Sequence, residues 1–374
     1  MSINAAWNVV NFRAGLVRAL IADGHEVIAA VGDDGAVADI EALGARVVTL
    51  PMDSAGISPF ADLRLFAHYL ALFRHERPDI YLGWTIKPNI YGSIAAAVAG
   101  VPAVNNVSGL GTAFLGADWL MRVAGVLYRI GLRRSATVFF QNAEDRDLFI
   151  ARALVREQQT ALLPGSGIDG VAFDPAHYRQ TTDGVFRFLL VARLIRDKGV
   201  LEFVEAARLL RATYPAVRFQ ILGFLDVANR TAIDRATLEG WVAEGLIDYL
   251  GVADDVRPFL AQADCVVLPS YREGTSRVLL EAAAMARPAI ATDVPGCRDV
   301  VRDRETGLLC RVRDAADLAR AMREMLASDD GARAAMGAAA RRDVLVRFAE
   351  HKVITSYRAV IGDTLRGQGT SASL

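Results

Sequence analysis

Short apolar runs bounded by Gly, Pro or Asp recur along the chain and alternate with longer stretches whose apolar residues return at helical spacing. Uninterrupted apolar runs are the mark of strands buried on both faces, so the pattern predicts parallel sheets with helices packed over them, an α/β fold. Strands are expected at 24–31, 46–51, 78–83, 101–107 and up to Asn142, then at 186–192, 218–223, 248–250, 265–268 and 289–291, with helices between most of them. Asn142 with Asp145 reads as a helix cap. Leu162-Leu-Pro-Gly-Ser-Gly-Ile-Asp-Gly170 reads as a linker. Residues 315–365 read as helix and the small, polar segment 366–374 as a flexible tail.

A chain of 374 residues exceeds the size at which single cores stop growing, which implies two domains. A formal net charge of −1 excludes the basic surface that nucleic acid demands. Cys265, Cys297 and Cys310 have no metal-ligand spacing and suit packing in a reducing compartment, and the five His are dispersed, so neither a metal nor another cofactor is expected. The chain is 53% apolar, and residues 88–117 carry no charge, long enough to raise the question of a membrane span. Pro102, Asn105, Asn106, Gly109 and Gly111 interrupt it, and a helix over 89–99, a buried strand and a glycine loop fit better. No basic segment followed by a long apolar core opens the chain, so no signal peptide is read there.

Chemistry concentrates in the second half. Glu273-Gly-Thr-Ser-Arg-Val-Leu-Leu-Glu281 sets two carboxylates around a Gly274-Thr275-Ser276 turn, between the strand at 265–268 and a Leu- and Ala-rich helix. The amino end of such a helix offers unpaired N–H groups and partial positive charge to a ligand beyond the strand, a place for a diphosphate. Glu273 then reaches whatever the diphosphate carries, and Glu281, about one turn into the helix, can accept from a diol. The alternative is that Thr275 or Ser276 only caps the helix and both carboxylates are solvated. In Phe188-Leu-Leu-Val-Ala-Arg-Leu-Ile-Arg-Asp-Lys-Gly199, a strand delivers Arg193 and then Lys198 to a helix start, where acidic residues are normally favoured. A phosphate would neutralise Lys198; an exposed basic turn is the other reading.

Together these segments resemble the retaining glycosyltransferases of family 4. Thr85-Ile-Lys-Pro-Asn-Ile-Tyr-Gly92, Ser108-Gly-Leu-Gly111 and Thr292-Asp-Val-Pro-Gly-Cys-Arg298 resemble the bacterial subgroup of N-acetylgalactosaminyl and hexosyl transferases that extends undecaprenyl-diphosphate-linked sugars. The resemblance implies a GT-B fold, two Rossmann-like domains facing an interdomain cleft. It places an acceptor domain at 1–164, a nucleotide-sugar domain at 165–345 and a helix at 346–365 crossing back to the first. It also implies that Arg193 and Lys198 bind the donor diphosphate, Glu273 contacts the donor sugar and Glu281 holds the ribose hydroxyls, with Gly274, Thr275 and Ser276 completing the site. Asn4-Ala-Ala-Trp-Asn-Val-Val-Asn-Phe-Arg13 resembles the loop and helix that follow the family's first strand. That strand therefore reads as truncated: either the native start lies upstream or a remnant over 2–5 pairs.

The acceptor is expected on the first domain. Lys87, at a strand end before Pro88, is the candidate for its phosphate, with an ordinary surface lysine as the alternative. Gly109 and Gly111 allow backbone to approach a ligand, though glycine turns exist without one. Many relatives carry His near this loop; here the stretch is Asn105-Asn-Val-Ser108, so no His base is carried over. From Asp118 to Arg134, Trp119, Val123, Val126, Leu127 and Ile130 recur at helical spacing beside Arg122, Arg129, Arg133 and Arg134. That suits a helix lying on an anionic bilayer, and equally a core helix whose arginines reach solvent. The implied activity is transfer from a UDP-sugar donor to a lipid-linked saccharide acceptor, in the cytoplasm at the inner membrane surface. Two alternatives stay open: a UDP-sugar 2-epimerase of the same fold, and a non-catalytic nucleotide-sugar-binding protein.

Overall fold

The structure, a computed structural model, describes residues 1–52, 58–110, 118–179, 183–227 and 229–371. The chain forms two units, Met1–Gly167 with Glu350–Leu374, and Ile168–Ala349. In the first, β1 (Ser2–Ile3), β2 (Ile28–Val31), β3 (Arg46–Thr49), β4 (Tyr81–Trp84), β5 (Ala103–Val107), β6 (Ser135–Phe140) and β7 (Thr160–Leu162) make one sheet in the order 3-2-1-4-5-6-7. Every pairing in it is parallel. Helices α1 (Ala6–Phe12), α2 (Ala14–Ala22), α3 (Val37–Ala42), α4 (Pro59–Glu76), α5 (Ser93–Ala99), α6 (Asp118–Leu132) and α7 (Ala143–Ala151) connect the strands.

The two-residue β1 pairs with Ala30 on one side and Gly83 on the other, so the remnant does fill the sheet centre. The Met1 amino group and the Ser2 hydroxyl both tie it to β2, donating to Ile28 O and Ala30 O at 2.7 Å. The helix expected over 89–99 opens instead as a π-helical turn, Pro88–Gly92, ahead of α5. Tyr81 explains it: its hydroxyl donates to Pro88 O at 3.0 Å and lies where a Cβ on Gly92 would come within 2.0 Å.

In the second unit, β8 (Arg187–Val191), β9 (Arg218–Leu222), β10 (Asp248–Tyr249), β11 (Cys265–Leu268), β12 (Ala289–Thr292) and β13 (Gly307–Cys310) form a parallel sheet in the order 10-9-8-11-12-13. Its helices are α8 (Val200–Arg211), α9 (Arg235–Ala243), α10 (Arg257–Gln262), α11 (Arg277–Ala284), α12 (Ala315–Ala327) and α13 (Asp330–Arg347). Phe188, Phe203, Phe219, Val267, Ile290 and Met322 lie in its core, and all three Cys are buried. β7 and β13, absent from the strands that the apolar runs predict, are short strands at the edges of their sheets.

Asp314 and Asp329 cap α12 and α13 through side-chain bonds to backbone N–H groups, dividing the helical stretch. The terminal helix α14 (Glu350–Ser371) belongs to the first unit. It continues past Arg366, where composition predicts a flexible tail, and Arg366 pairs with Asp363 at 2.6 Å across one turn. Tyr357 anchors it, with its ring centre 5.6 Å from Trp84 and 5.1 Å from Phe139 and its hydroxyl accepting from the Asn106 amide at 3.1 Å. Arg358 adds a two-point pair with Asp23 at 2.6 and 2.7 Å. Tyr357→Ala is expected to cost about 3–5 kcal/mol in urea unfolding, the range for removing a buried aromatic ring. A cost below about 1 kcal/mol would contradict this anchoring.

Candidate functional site

In the second unit the order of strands reverses between β8 and β11, so the loops leaving their carboxyl ends run side by side. The β8 loop passes through a 3-10 turn, Arg196–Lys198, to Gly199, which sits at φ +72. A Cβ there would stand 2.0 Å from the Pro269 carbonyl oxygen, so only glycine lets the two loops touch. Ser270 and Tyr271 then donate to the Asp197 carbonyl at 3.2 Å and 2.9 Å, while the Asp197 carboxylate is held by Thr231 at 3.1 Å. The result is a direct ion pair between Lys198 Nζ and Glu273 Oε1 at 2.5 Å, with side chains 23% and 12% exposed. Arg193 lies in the same loop, exposed, and among the described residues its guanidinium has no hydrogen bond or ion pair.

The β11 loop is backed by the segment 292–298. Gly296, at φ +75, lies under Gly274 and Glu273, whose carbonyls would be 2.2 and 2.7 Å from a Cβ placed there. Glu273 N donates to Pro295 O and Ser276 N to Gly296 O, both at 3.3 Å. Ser276 caps α11, its hydroxyl accepting from Leu279 N at 3.4 Å, and Thr275 precedes it in the same turn. Glu281 is not solvated: it is 9% exposed, and Arg277 Nε donates to its Oε1 at 2.7 Å. Burial pushes its carboxyl above the usual range, and the Arg277 guanidinium opposes that shift. Arg277, Gly199, Gly296 and Tyr271 shape this site without having been singled out; the four-residue helical spacing of Arg277 and Glu281 was the one signal available.

In the first unit, Lys87 is no ordinary surface lysine. Its Nζ is 3.0 Å from Asp62 Oδ1, with side chains 17% and 14% exposed, and Tyr91 donates to Asp62 Oδ2 at 2.8 Å. Gly109 takes φ +144, a conformation that favours glycine, and Gly111 lies outside the described residues. Asn105 and Asn106 are buried and committed: Asn105 donates to Asn89 Oδ1 at 2.9 Å and Ser93 at 2.8 Å and accepts from Ser135 at 2.7 Å, while Asn106 holds Tyr357. On α6, Ala124, Tyr128 and Leu132 are buried, whereas Val123, Val126 and Ile130 are 48%, 57% and 54% exposed. Arg129, exposed, donates to Ala153 O and Arg152 O at 2.9 and 3.0 Å at the end of α7. A cavity of about 540 Å³ lined by Arg74 and Arg77 opens at the amino ends of β4 and β5, the edge away from the strand termini that carry these residues.

Sequence profiles match both units: "Glycosyl transferase 4-like domain" over residues 9–165 and "Glycosyl transferases group 1" over residues 185–328. The chain is a family 4 glycosyltransferase. This glycosyltransferase is 26% identical to the N,N'-diacetylbacillosaminyl-diphospho-undecaprenol alpha-1,3-N-acetylgalactosaminyltransferase of Campylobacter jejuni, over 91% of this chain and 92% of that protein. It is 26% identical to the UDP-Gal:alpha-D-GlcNAc-diphosphoundecaprenol alpha-1,3-galactosyltransferase of Escherichia coli, over 72% of each. Its GT-B fold matches a glycosyltransferase from Rickettsia africae with a TM-score of 0.76 and 17% identity, covering 98% and 97% of the two chains. Anabaena HepE, solved in complex with UDP and glucose, matches with a TM-score of 0.72 and 18% identity, covering 100% and 98%. The family sets the 2-epimerase alternative aside. Among the described residues no group of three or more His, Cys, Asp or Glu is placed to hold a metal ion. Gly199→Ala should destabilise the enzyme by on the order of 3 kcal/mol, combining left-handed strain with overpacking. Unfolding indistinguishable from that of the parent would show that the loops need not touch.

Proposed function

We propose that this glycosyltransferase moves a hexose or N-acetylhexosamine from a UDP-sugar to a lipid-diphosphate-linked saccharide, with retention of anomeric configuration, in bacterial surface polysaccharide or glycan assembly. The observation that carries the reading is the gathering of Lys198, Glu273 and Glu281 around the capped amino end of α11 at the reversal of the sheet. Arg193 and Lys198, with the partial positive charge at the amino end of α11, stabilise charge on the departing diphosphate. Glu281, held by Arg277, accepts from the ribose hydroxyls, and Glu273 orients the donor sugar. Lys87 and the backbone at Gly109 receive the acceptor.

The stretch Asn105-Asn-Val-Ser108 supplies no His base, and the departing phosphate oxygen serves as the base for the acceptor hydroxyl. The bond from the anomeric carbon to that oxygen breaks, and the acceptor hydroxyl bonds the same face of the carbon. Its proton passes to the departing phosphate. Lys198→Ala should weaken UDP binding by about 1.5–3 kcal/mol and Glu281→Gln by about 1 kcal/mol, the scale of charge-assisted hydrogen bonds. Titration calorimetry checks both; unchanged affinity in both variants would remove the nucleotide from this site.

The acceptor's lipid calls for a membrane surface, and no helix among the described residues is long and apolar enough to cross one. The exposed stripe of Val123, Val126 and Ile130, beside exposed Arg122, Arg133 and Arg134, supports α6 as the element that rests on an anionic inner leaflet. Replacing Arg133 and Arg134 by Gln should reduce sedimentation with anionic vesicles by about 1 kcal/mol per residue, with raised salt releasing the parent. Unaltered sedimentation would make α6 a core helix only.

A further inference from the structure

The nearest charged neighbour of Lys198 is the carboxylate of Glu273, and in a donor site these two groups have separate tasks, one on the diphosphate and one on the sugar. Their contact is built in. Ser270 and Tyr271 bind the Asp197 carbonyl next to Lys198, and Gly296 supports the Glu273 backbone from below, so the 2.5 Å pair joins two fixed loops. Other acidic groups nearby are already engaged. Asp197 accepts from Thr231 at 3.1 Å and Glu202 accepts from the Tyr271 hydroxyl at 2.8 Å. Among the described residues Glu273 is the carboxylate that pairs with Lys198, and both side chains are largely shielded from water, where a broken pair is costly.

We propose that Glu273 acts as an internal competitor of the donor diphosphate for Lys198, a positioning role that makes the enzyme prefer UDP-sugar to UDP. The inference rests on the donor-site reading given above. When a diphosphate reaches Lys198, Glu273 loses its cation. If the nucleotide carries a sugar, the sugar hydroxyls donate to the released carboxylate and restore what it lost. UDP alone offers no such donors, so the carboxylate is left beside a diphosphate of like charge and binding is weakened. Once transfer has removed the sugar, the same repulsion returns Glu273 to Lys198 and favours departure of UDP. No covalent step is involved; one carboxylate exchanges partners.

Glu273→Gln keeps the shape and hydrogen-bonding capacity of the side chain while removing its charge, and Glu273→Ala serves as a second variant. Dissociation constants for UDP and for a non-transferred UDP-sugar are measured by calorimetry in the parent, both Glu273 variants, Lys198→Ala and the Lys198→Ala/Glu273→Gln double variant. We expect Glu273→Gln to tighten UDP about tenfold, a difference of roughly 1.4 kcal/mol. The same variant should leave UDP-sugar unchanged or weaker, narrowing the ratio between the two ligands. In the Lys198→Ala background only the like-charge repulsion between Glu273 and the diphosphate remains, so the tightening should be smaller than in the parent. Initial rates supply a second readout, with UDP becoming a stronger product inhibitor as kcat falls. If UDP affinity is unchanged or reduced in both Glu273 variants while Lys198→Ala weakens it, the competition is refuted and the donor site stands. If Lys198→Ala leaves UDP affinity unaltered, the donor-site reading fails and the competition with it.

Discussion

The reversal of strand order between β8 and β11 fixes everything else in the second unit, because it forces two loops that are remote in sequence to leave the sheet side by side. Parallel strands aim their carboxyl ends the same way, and at the reversal no connecting helix covers the gap. What the loops do there depends on backbone contact. With any side chain at position 199 the Pro269 carbonyl would be pushed away, and with any at 296 the turn at Glu273 and Gly274 would be lifted from its support. Two glycines thus set the distance at which a lysine and a glutamate meet.

The first unit uses the same sheet geometry with a different polar content. Its reversal lies between β1 and β4, and the strand beyond, β5, carries Asn105 and Asn106 where a buried parallel strand would normally be apolar. Buried amides must be satisfied, and Asn89, Ser93, Ser135 and Tyr357 do so. Asn106 couples that sheet to α14, whose Val353, Tyr357 and Ile361 complete a core that begins at Ile3. The same bonds deprive these side chains of freedom to act on a substrate.

Much of this was legible from the chain because the signals were local. The apolar runs located both sheets, and the order of strand, loop and helix around Glu273 and Glu281 read directly from the sequence. Contacts between distant segments were not legible. Lys198 and Glu273 are 75 residues apart, and nothing in either motif says that the two charges touch. Arg129 is a surface cation that also closes the end of α7, and Lys87 is held by Asp62, which Tyr91 holds in turn. β13 needs β12 beside it to read as a strand. The π-helical turn at Pro88 follows from the bulk of Tyr81 rather than from its own sequence.

The central claim is that a sugar leaves UDP and arrives on a lipid-linked saccharide with its anomeric configuration kept. Incubation of the purified enzyme with UDP-sugars and a lipid-diphosphate-linked saccharide, with NMR of the isolated product, tests it directly. The account predicts UDP released in equal amount to an extended lipid-linked saccharide whose new bond has the configuration of the donor. A product of inverted configuration, or a free epimerised nucleotide sugar with the lipid acceptor unchanged, would contradict it.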